Sequence, residues 1–414
     1  MSMHALIYTY IYTNVTCYYH LKYAYSFFQI SKMSSSEYLS KDILEDDYIR
    51  SFAPFRYLEM FLGTSRISLR DRFVTVLAGA TLALYSYVAV TYFAKYHAYS
   101  DVYNTFVCVS VLHYATFVCN IIHVRFVNTD TNPKFYIQMQ EIDRLMKLDK
   151  SYLNYIIFIN NICTVAVATA ILMITFLCGL FPHYLLGAGF IGIFFGVLSC
   201  AVEWLHCANL ILYFFLRMRY INAIISNHLD GKLVLREGKN HRWPTLALMR
   251  HLVSASHDFE SSPVDDYVEA LLKAFSVFQN LYRFQMLLFC SHLFIHTLVS
   301  FEIVILSAQK GLIVQFMDLP SLTALNFMIA TVISLRCELL LGEVKRTKRL
   351  CITVLSRHYD GPVREKAKRI LLATSSHPPR LSVYDMWRMD AATVLAMINV
   401  ITTLMVAQLQ FVLL

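Results

Sequence analysis

The chain has 414 residues, of which 57% are hydrophobic and only 15% are charged, and its mean hydropathy is +0.50. Soluble domains average about 25% charged residues. The composition therefore excludes a single soluble core and predicts an all-α protein that crosses the membrane several times. The net charge of +8 does not indicate a nucleic-acid partner, because the basic residues lie beside the apolar segments. Ten scattered cysteines without a Cys-x-x-Cys pair predict neither a zinc site nor a disulfide framework.

The N-terminal segment, residues 1–72, is expected to be cytoplasmic. Its first 32 residues contain seven tyrosines and no charge before Lys22, so they lack the basic start of a signal peptide. We expect residues 1–32 to be a disordered extension or the product of an upstream start codon.

Seven apolar stretches are each long enough for the ~20 helical residues that cross a bilayer. They are numbered here as spans one to seven and lie at roughly 73–93, 103–124, 155–177, 185–216, 284–306, 320–340 and 391–414. Span four is longer than one crossing needs, so it should tilt or project beyond the bilayer. The longest polar stretches between spans are 217–283 and 341–389.

The orientation follows from lysine and arginine, which concentrate on the cytoplasmic side of membrane proteins. One side of the predicted bundle carries 34 of the 36 basic residues, and the other side carries only Lys95 and Lys310. The N-terminus is therefore predicted to be cytoplasmic, and seven crossings place the C-terminus outside. A G-protein-coupled receptor has the opposite orientation and is excluded.

Aromatic and polar side chains collect in the outer halves of the first six spans. Aromatic walls with a few polar groups are typical of small-molecule sites, although packing and interfacial aromatic belts give the same composition. The residues predicted to bind a ligand are Tyr85, His113, Tyr114, Phe194, His292, His296 and Asn326.

Two further features concern charge and metal binding. Glu203 lies in the middle of span four, where a charge costs ~2.5–3.5 kcal/mol. It must be paired, protonated or hydrated; we expect a hydrogen bond to a neighbouring helix, with a role in a ligand pocket as the alternative. His292 and His296 have a spacing that suits a metal pair, but no third ligand is apparent, so no metal site is predicted. No catalytic motif or cofactor-binding loop is present, and neither an enzyme nor a cofactor is expected.

Span seven carries a polar stripe. Asn399, Thr403, Val406 and Gln410 are separated by four, three and four residues and therefore share one helix face. Amides that face lipid are costly, so this stripe should meet protein or water. It is either a pore lining or a set of hydrogen bonds between helices.

The end of the same span resembles the C-terminal signature of insect gustatory receptors, which begins with Thr and ends with Gln-Phe. Here it runs from Thr403 to Gln410-Phe411, with Leu404 in place of the signature's Tyr and Gln408 at one of its apolar positions. Similar resemblance lies at Pro54-Phe55 to Gly63 and at Leu216-Arg217 to Asn222. Odorant receptors usually lack this ending.

The resemblance implies a ligand-gated, non-selective cation channel in the plasma membrane of sensory neurons, assembled as a homotetramer or heterotetramer. In that family, the last helix lines the pore, and the roles of the constriction would fall on Gln410 and Phe411. Residues 73–340 would form the ligand-binding bundle. The segment 341–389, with the extended helices four to six, would form a cytoplasmic anchor.

The implied ligand is a small, non-volatile tastant. The outer halves of the spans are rich in Tyr and Phe and poor in carboxylates and amides, which favours a bitter plant metabolite over a sugar. The alternative from another class is a small-solute transporter, which would require internal pseudosymmetry and broken helices. Neither feature is evident.

Overall fold

The computed structural model describes residues 44, 46–62, 64, 66, 79–80, 83, 101–128, 131–146, 150–180, 187–230, 259–309 and 318–413. At helical positions 46–47, 101–107, 150–154, 176, 178–180, 187–195, 230, 318 and 411–413, the description covers the backbone and not the side chain. The first 32 residues and nearly all of predicted span one lie outside the described residues.

The described chain is almost entirely helical. Two short helices, α1 (Asp46–Ser51) and α2 (Ala53–Leu62), precede α3 (Asp101–Ile122), which continues as a π-helical turn (His123–Val127). The remaining elements are α4 (Thr131–Leu145), α5 (Lys150–Leu180), α6 (Gly187–Asp230), α7 (Val264–Gln309), α8 (Asp318–Arg357), α9 (Pro362–Ser376), an antiparallel hairpin of β1 (Ser382–Val383) and β2 (Trp387–Arg388), and α10 (Ala391–Leu413).

Among the described residues, six helices are long and apolar enough to cross a membrane: α3, α5, α6, α7, α8 and α10. They coincide with predicted spans two to seven. Hydropathy locates these helices because a helix satisfies its backbone polar groups with its own hydrogen bonds. Each crossing can therefore be recognised from its own stretch of apolar residues.

The helices that contain predicted spans four, five and six extend well beyond these apolar stretches. Helices α6, α7 and α8 contain 44, 46 and 40 residues, about twice the ~20 that a bilayer requires. The polar stretch 217–283 therefore begins and ends as helix. The chain has no Gly or Pro between Arg217 and Gly231, and α7 starts directly after Pro263 with Asp265 and Asp266 in its first turn, where acidic residues favour a helix N-terminus.

Helix α6 is the centre of the bundle. Within Gly196–Leu229, 94% of the most apolar stretch of the helix is buried. The helix packs against α2, α3, α5, α7 and α8. The polar side chains of α6, among them Glu203 and His206, are buried in these surroundings and would be costly in contact with lipid. By contrast, only 22% of the most apolar stretch of α5 and 11% of that of α10 are buried. Most of the surface of these two helices therefore faces away from their own chain.

A buried ion pair fastens the segment after α2 to the bundle. The Arg66 guanidinium donates to the Oε2 atom of Glu203 from Nη2 at 2.8 Å and from Nε at 3.1 Å, and both side chains are fully buried. Arg66 also donates to the Oδ1 atom of Asn132 at 2.8 Å and to the Oε1 atom of Gln285 at 2.6 Å, and it lies 4.4 Å above the ring of Tyr282. The expectation that Glu203 bonds a neighbouring helix is therefore incomplete, because its main partner comes from the N-terminal segment.

A second buried contact involves α2, α4 and α6. His206, one turn beyond Glu203, contacts the carboxylate of Glu59 through Nδ1, and its ring stacks on Phe55 at 4.9 Å between centroids. Burial and the Glu59 carboxylate raise the pKa of Tyr136 well above its ordinary value. The Tyr136 hydroxyl consequently keeps its proton and lies 3.3 Å from the Nε2 atom of His206.

The segment 341–389, which is predicted to be cytoplasmic, contains the end of α8, helix α9 and the β1–β2 hairpin. Helix α8 continues through the basic run as far as Arg357, and Gly361, with φ of 103°, allows the chain to turn into Pro362 at the start of α9. Helix α9 packs against α7 and α8. The hairpin then leads into α10, whose first turn is capped by the Asp390 carboxylate accepting from the Thr393 N–H at 2.8 Å.

Candidate functional site

The polar stripe of α10 faces away from its own chain. Asn399, Thr403, Val406 and Gln410 are all exposed, with 48% of Val406 accessible. Thr403 donates its hydroxyl proton to the Asn399 carbonyl at 2.9 Å, so its oxygen can still accept from a group outside the chain. The side chain of Phe411 lies outside the described residues.

The opposite side of α10 packs inward. Ile401 is 2% exposed, and Gln408 is half-buried, with an Oε1 atom that is buried and has no hydrogen-bond partner among the described residues. The two glutamines near the end of α10 therefore point in different directions, as their spacing predicts. Gln410 lies on the face that a neighbouring molecule or water can reach.

A cluster of three imidazoles lies inside the bundle between α3 and α7. The ring of His113 lies 4.7 Å from that of His292 and 5.0 Å from that of His296, measured between centroids, and the two rings on α7 stack at 5.5 Å. All three side chains are buried. The structure thus brings together three of the residues predicted to bind a ligand, and we call them the histidine cluster.

Hydroxyl groups from the neighbouring helices meet this cluster. The Oγ1 atom of Thr116 on α3 lies 3.1 Å from the Nδ1 atom of His292, and the Oγ1 atom of Thr323 on α8 lies 3.2 Å from the Nδ1 atom of His296. Ser300, one turn along α7, lies 3.5 Å from the Nε2 atom of His296. Helices α3, α7 and α8 therefore all contribute polar atoms to one buried region.

The other residues predicted to bind a ligand have different positions. Asn326 is buried on α8, three residues beyond Thr323, and Tyr114 is half-buried against the core. Tyr85 and the side chain of Phe194 lie outside the described residues. All of the ligand-binding assignments therefore stay predictions.

Trp204 on α6 was not predicted to belong to the site. Its ring lies 5.7 Å from that of His292 and 4.4 Å from that of Phe289, so it forms an apolar wall beside the histidine cluster. Its position next to Glu203 in the sequence gives no indication of this contact, which depends on how α6 packs against α7.

The structure places the ring of His113 against both rings of the His292–His296 pair. The two rings on α7 are nearly parallel, at 15°. Among the described residues, no group of three His, Cys, Asp or Glu side chains is arranged to hold a metal ion.

The comparisons with known proteins agree with this architecture. The family model described as 7tm Chemosensory receptor matches residues 51–414, which is most of the chain. The protein belongs to this insect chemosensory receptor family. Its members are receptors rather than a class of enzymes.

Solved structures show the same fold for this chemosensory receptor. The structure of this chain is similar to that of the insect olfactory receptor OR5 from Machilis hrabei in complex with eugenol, with a TM-score of 0.59. The sequence identity is 12%, and the match covers 88% of this chain and 100% of OR5. A second structure of OR5 from Machilis hrabei gives the same TM-score and coverage at 11% identity. No curated protein sequence matches the chain significantly.

Proposed function

We propose that this chemosensory receptor is a gustatory receptor that acts as a ligand-gated, non-selective cation channel for a small, non-volatile tastant. The observation that carries the proposal is the α10 stripe, whose polar residues Asn399, Thr403 and Gln410 are exposed on a helix that should otherwise meet lipid. In lipid, such amides would be costly. In an assembly of four chains around a common axis, they would line an aqueous path for cations.

The ligand would bind in the bundle formed by residues 73–340, at the histidine cluster. Helix α10 packs against α7 and α8, which carry His296 and Thr323, so a shift of either helix on ligand binding would be transmitted to the pore helix. The segment 341–389, with the cytoplasmic extensions of α6, α7 and α8, would form the anchor where subunits of a homotetramer or heterotetramer meet. The protein would act in the plasma membrane of sensory neurons.

A bitter plant metabolite and a sugar are the two candidate ligand classes. The aromatic residues of the outer bundle favour the first. The buried hydrogen-bonding atoms around His292 and His296 favour a ligand that carries hydroxyl groups, and this observation keeps sugar sensing as a second candidate.

The pore assignment is tested by two matched substitutions near the end of α10. Four copies of Gln410 would bring four amides around the axis, where they could replace part of an ion's hydration shell. Gln410→Ala should therefore change the ratio of sodium to calcium permeability or the resting leak current in cells that express the receptor. Gln408→Ala, on the inward side of the same helix, is the control and should leave permeation unchanged.

The pore assignment would be contradicted by the opposite pair of results. If Gln408→Ala changes ion permeation and Gln410→Ala does not, the pore face has been assigned to the wrong side of α10. Agonist concentration for half-maximal response should move little, by less than about threefold, in Gln410→Ala, because the residue does not contact the proposed ligand site.

A further inference from the structure

The proton positions in the histidine cluster follow from the threonine hydroxyls. Thr116 donates its hydroxyl proton to the Leu112 carbonyl at 2.8 Å. A threonine hydroxyl has a single proton, so the same oxygen can only accept from His292, whose Nδ1 atom lies 3.1 Å away. His292 must therefore carry its proton on Nδ1, and its Nε2 atom presents a lone pair.

The same reasoning applies to the second ring. Thr323 donates its hydroxyl proton to the Leu319 carbonyl at 3.0 Å, so it accepts from the Nδ1 atom of His296 at 3.2 Å. The Nε2 atom of His296 is then also an acceptor, and its contact with Ser300 is long, at 3.5 Å. Helices α3 and α8 thus impose the same tautomer on both histidines of α7.

In the part of the chain that the structure describes, the cluster has no counter-ion. Among the described residues, no carboxylate makes a hydrogen bond or ion pair with any of the three rings, and the buried Nε2 atom of His113 has no hydrogen-bond partner there. Glu203, beside Trp204, is paired with Arg66, and Glu302, six residues beyond His296 on α7, is exposed. Burial without an anion keeps imidazoles neutral, so the cluster presents uncharged acceptors.

We propose that the histidine cluster accepts hydrogen bonds from the hydroxyl groups of a neutral alcohol or phenol, and that this sets the ligand class. The inference rests on the proposed function, because it specifies the ligand chemistry of the same site. A carboxylate ligand would face the lone pairs of His292 and His296, and a cationic amine would be buried without a negative partner. Trp204 and Phe289 provide an apolar wall for the carbon skeleton of the ligand.

The binding experiment uses matched probes on the purified full-length receptor in lipid nanodiscs. Eugenol is compared with its methyl ether, and benzyl alcohol with benzyl methyl ether, benzylamine and benzoate. The readout is the ligand-dependent rise in melting temperature, from which apparent Kd values follow. Each hydroxyl compound should bind about tenfold more tightly than its ether, because the ether leaves a buried acceptor unpaired, and benzylamine and benzoate should bind more weakly than benzyl alcohol.

Two variants of each histidine then locate the effect. His292→Asn keeps an amide N–H for Thr116 near the former Nδ1 position but removes the Nε2 acceptor, so the preference for hydroxyl over ether should fall. His292→Gln can place a carbonyl oxygen near the Nε2 position and should keep more of the preference. His296→Asn and His296→Gln form a second pair, and His358→Asn, beyond the end of α8, is the control that should behave as the native receptor.

The ranking of probes on the native receptor tests the idea even if a variant fails to fold. Equal effects of each alcohol and its ether, including no effect of any of them, would overturn the proposal. So would tighter binding of benzylamine or benzoate. Because this readout needs no ion flow, preferential binding without currents would refute the channel proposal alone, and currents without hydroxyl preference would refute this one alone.

Discussion

At the residue scale, the ion pair between Arg66 and Glu203 should contribute strongly to stability. Both side chains are fully buried, and the arginine has a polar or aromatic partner on almost every side. Removing one member of such a pair leaves the other charge buried and uncompensated, whereas removing both is far less costly. The pair therefore couples the N-terminal segment to the centre of the bundle.

Glu203→Gln and Arg66→Met should each destabilise the receptor strongly, by about 3–5 kcal/mol, whereas the double variant should lose less than the sum of the two. The measurement is the melting temperature of the purified receptor. Asp265→Asn is the control, because its partner Arg369 is 67% exposed, and it should cost at most about 1 kcal/mol. Additive losses in the double variant would show that the two side chains are not coupled.

At the element scale, a buried lysine on α9 contacts the chain that enters α7. The Nζ atom of Lys366 on α9 donates to the carbonyls of Phe259 at 3.0 Å, Glu260 at 2.9 Å and Ser262 at 2.8 Å. Lys366 is only 9% exposed, so its ammonium group donates three hydrogen bonds to three carbonyls at a site with little access to water. This contact holds the chain that enters α7 against the proposed anchor.

Lys366→Met should loosen this junction, because it leaves these carbonyls without their donor, at about 1–3 kcal/mol for such buried groups. Hydrogen exchange should accelerate at the amides of the first turns of α7, and the melting temperature should fall. Lys368, two residues along the same helix, is exposed, and its one ion-pair partner among the described residues is Glu365 at 2.6 Å, so Lys368→Met should change neither measurement appreciably. Unchanged exchange in Lys366→Met would mean that the lysine does not hold the entry to α7.

At the scale of the whole molecule, orientation in the membrane is decided by charge. The 34 basic residues on one side of the predicted spans face only two on the other, and such asymmetry sets topology during insertion. The extended ends of α6, α7 and α8 carry part of this charge and would project into the cytoplasm.

Epitope tags at the two ends should therefore label differently in cells that express the receptor. A C-terminal tag should be stained on intact cells, and an N-terminal tag should be stained only after permeabilisation. An N-terminal tag visible on intact cells would contradict the predicted orientation and, with it, the position of the proposed anchor in the cytoplasm.

The length and apolar character of the chain by themselves determined spans two to seven, since hydropathy is a local property and each crossing helix satisfies its own backbone. The polar stripe of α10 could also be predicted from the sequence, because the period of a helix places Asn399, Thr403 and Gln410 on one face. The resemblance implied that helices four to six are extended, but the residues at which α6, α7 and α8 begin and end were not predicted. Within 217–283, no Gly or Pro interrupts the parts of α6 and α7 that lie beyond the apolar spans.

Only the tertiary structure decided which side chains meet. Arg66 and Glu203 are 137 residues apart, and the pairing of His113 with His292 depends on the rotation and height at which α3 packs against α7. No periodicity within one helix encodes these quantities, because they result from the fit of several helices to each other. For the same reason, the tautomers of His292 and His296, and the ligand chemistry inferred from them, depend on the positions of Thr116 and Thr323 beside the rings.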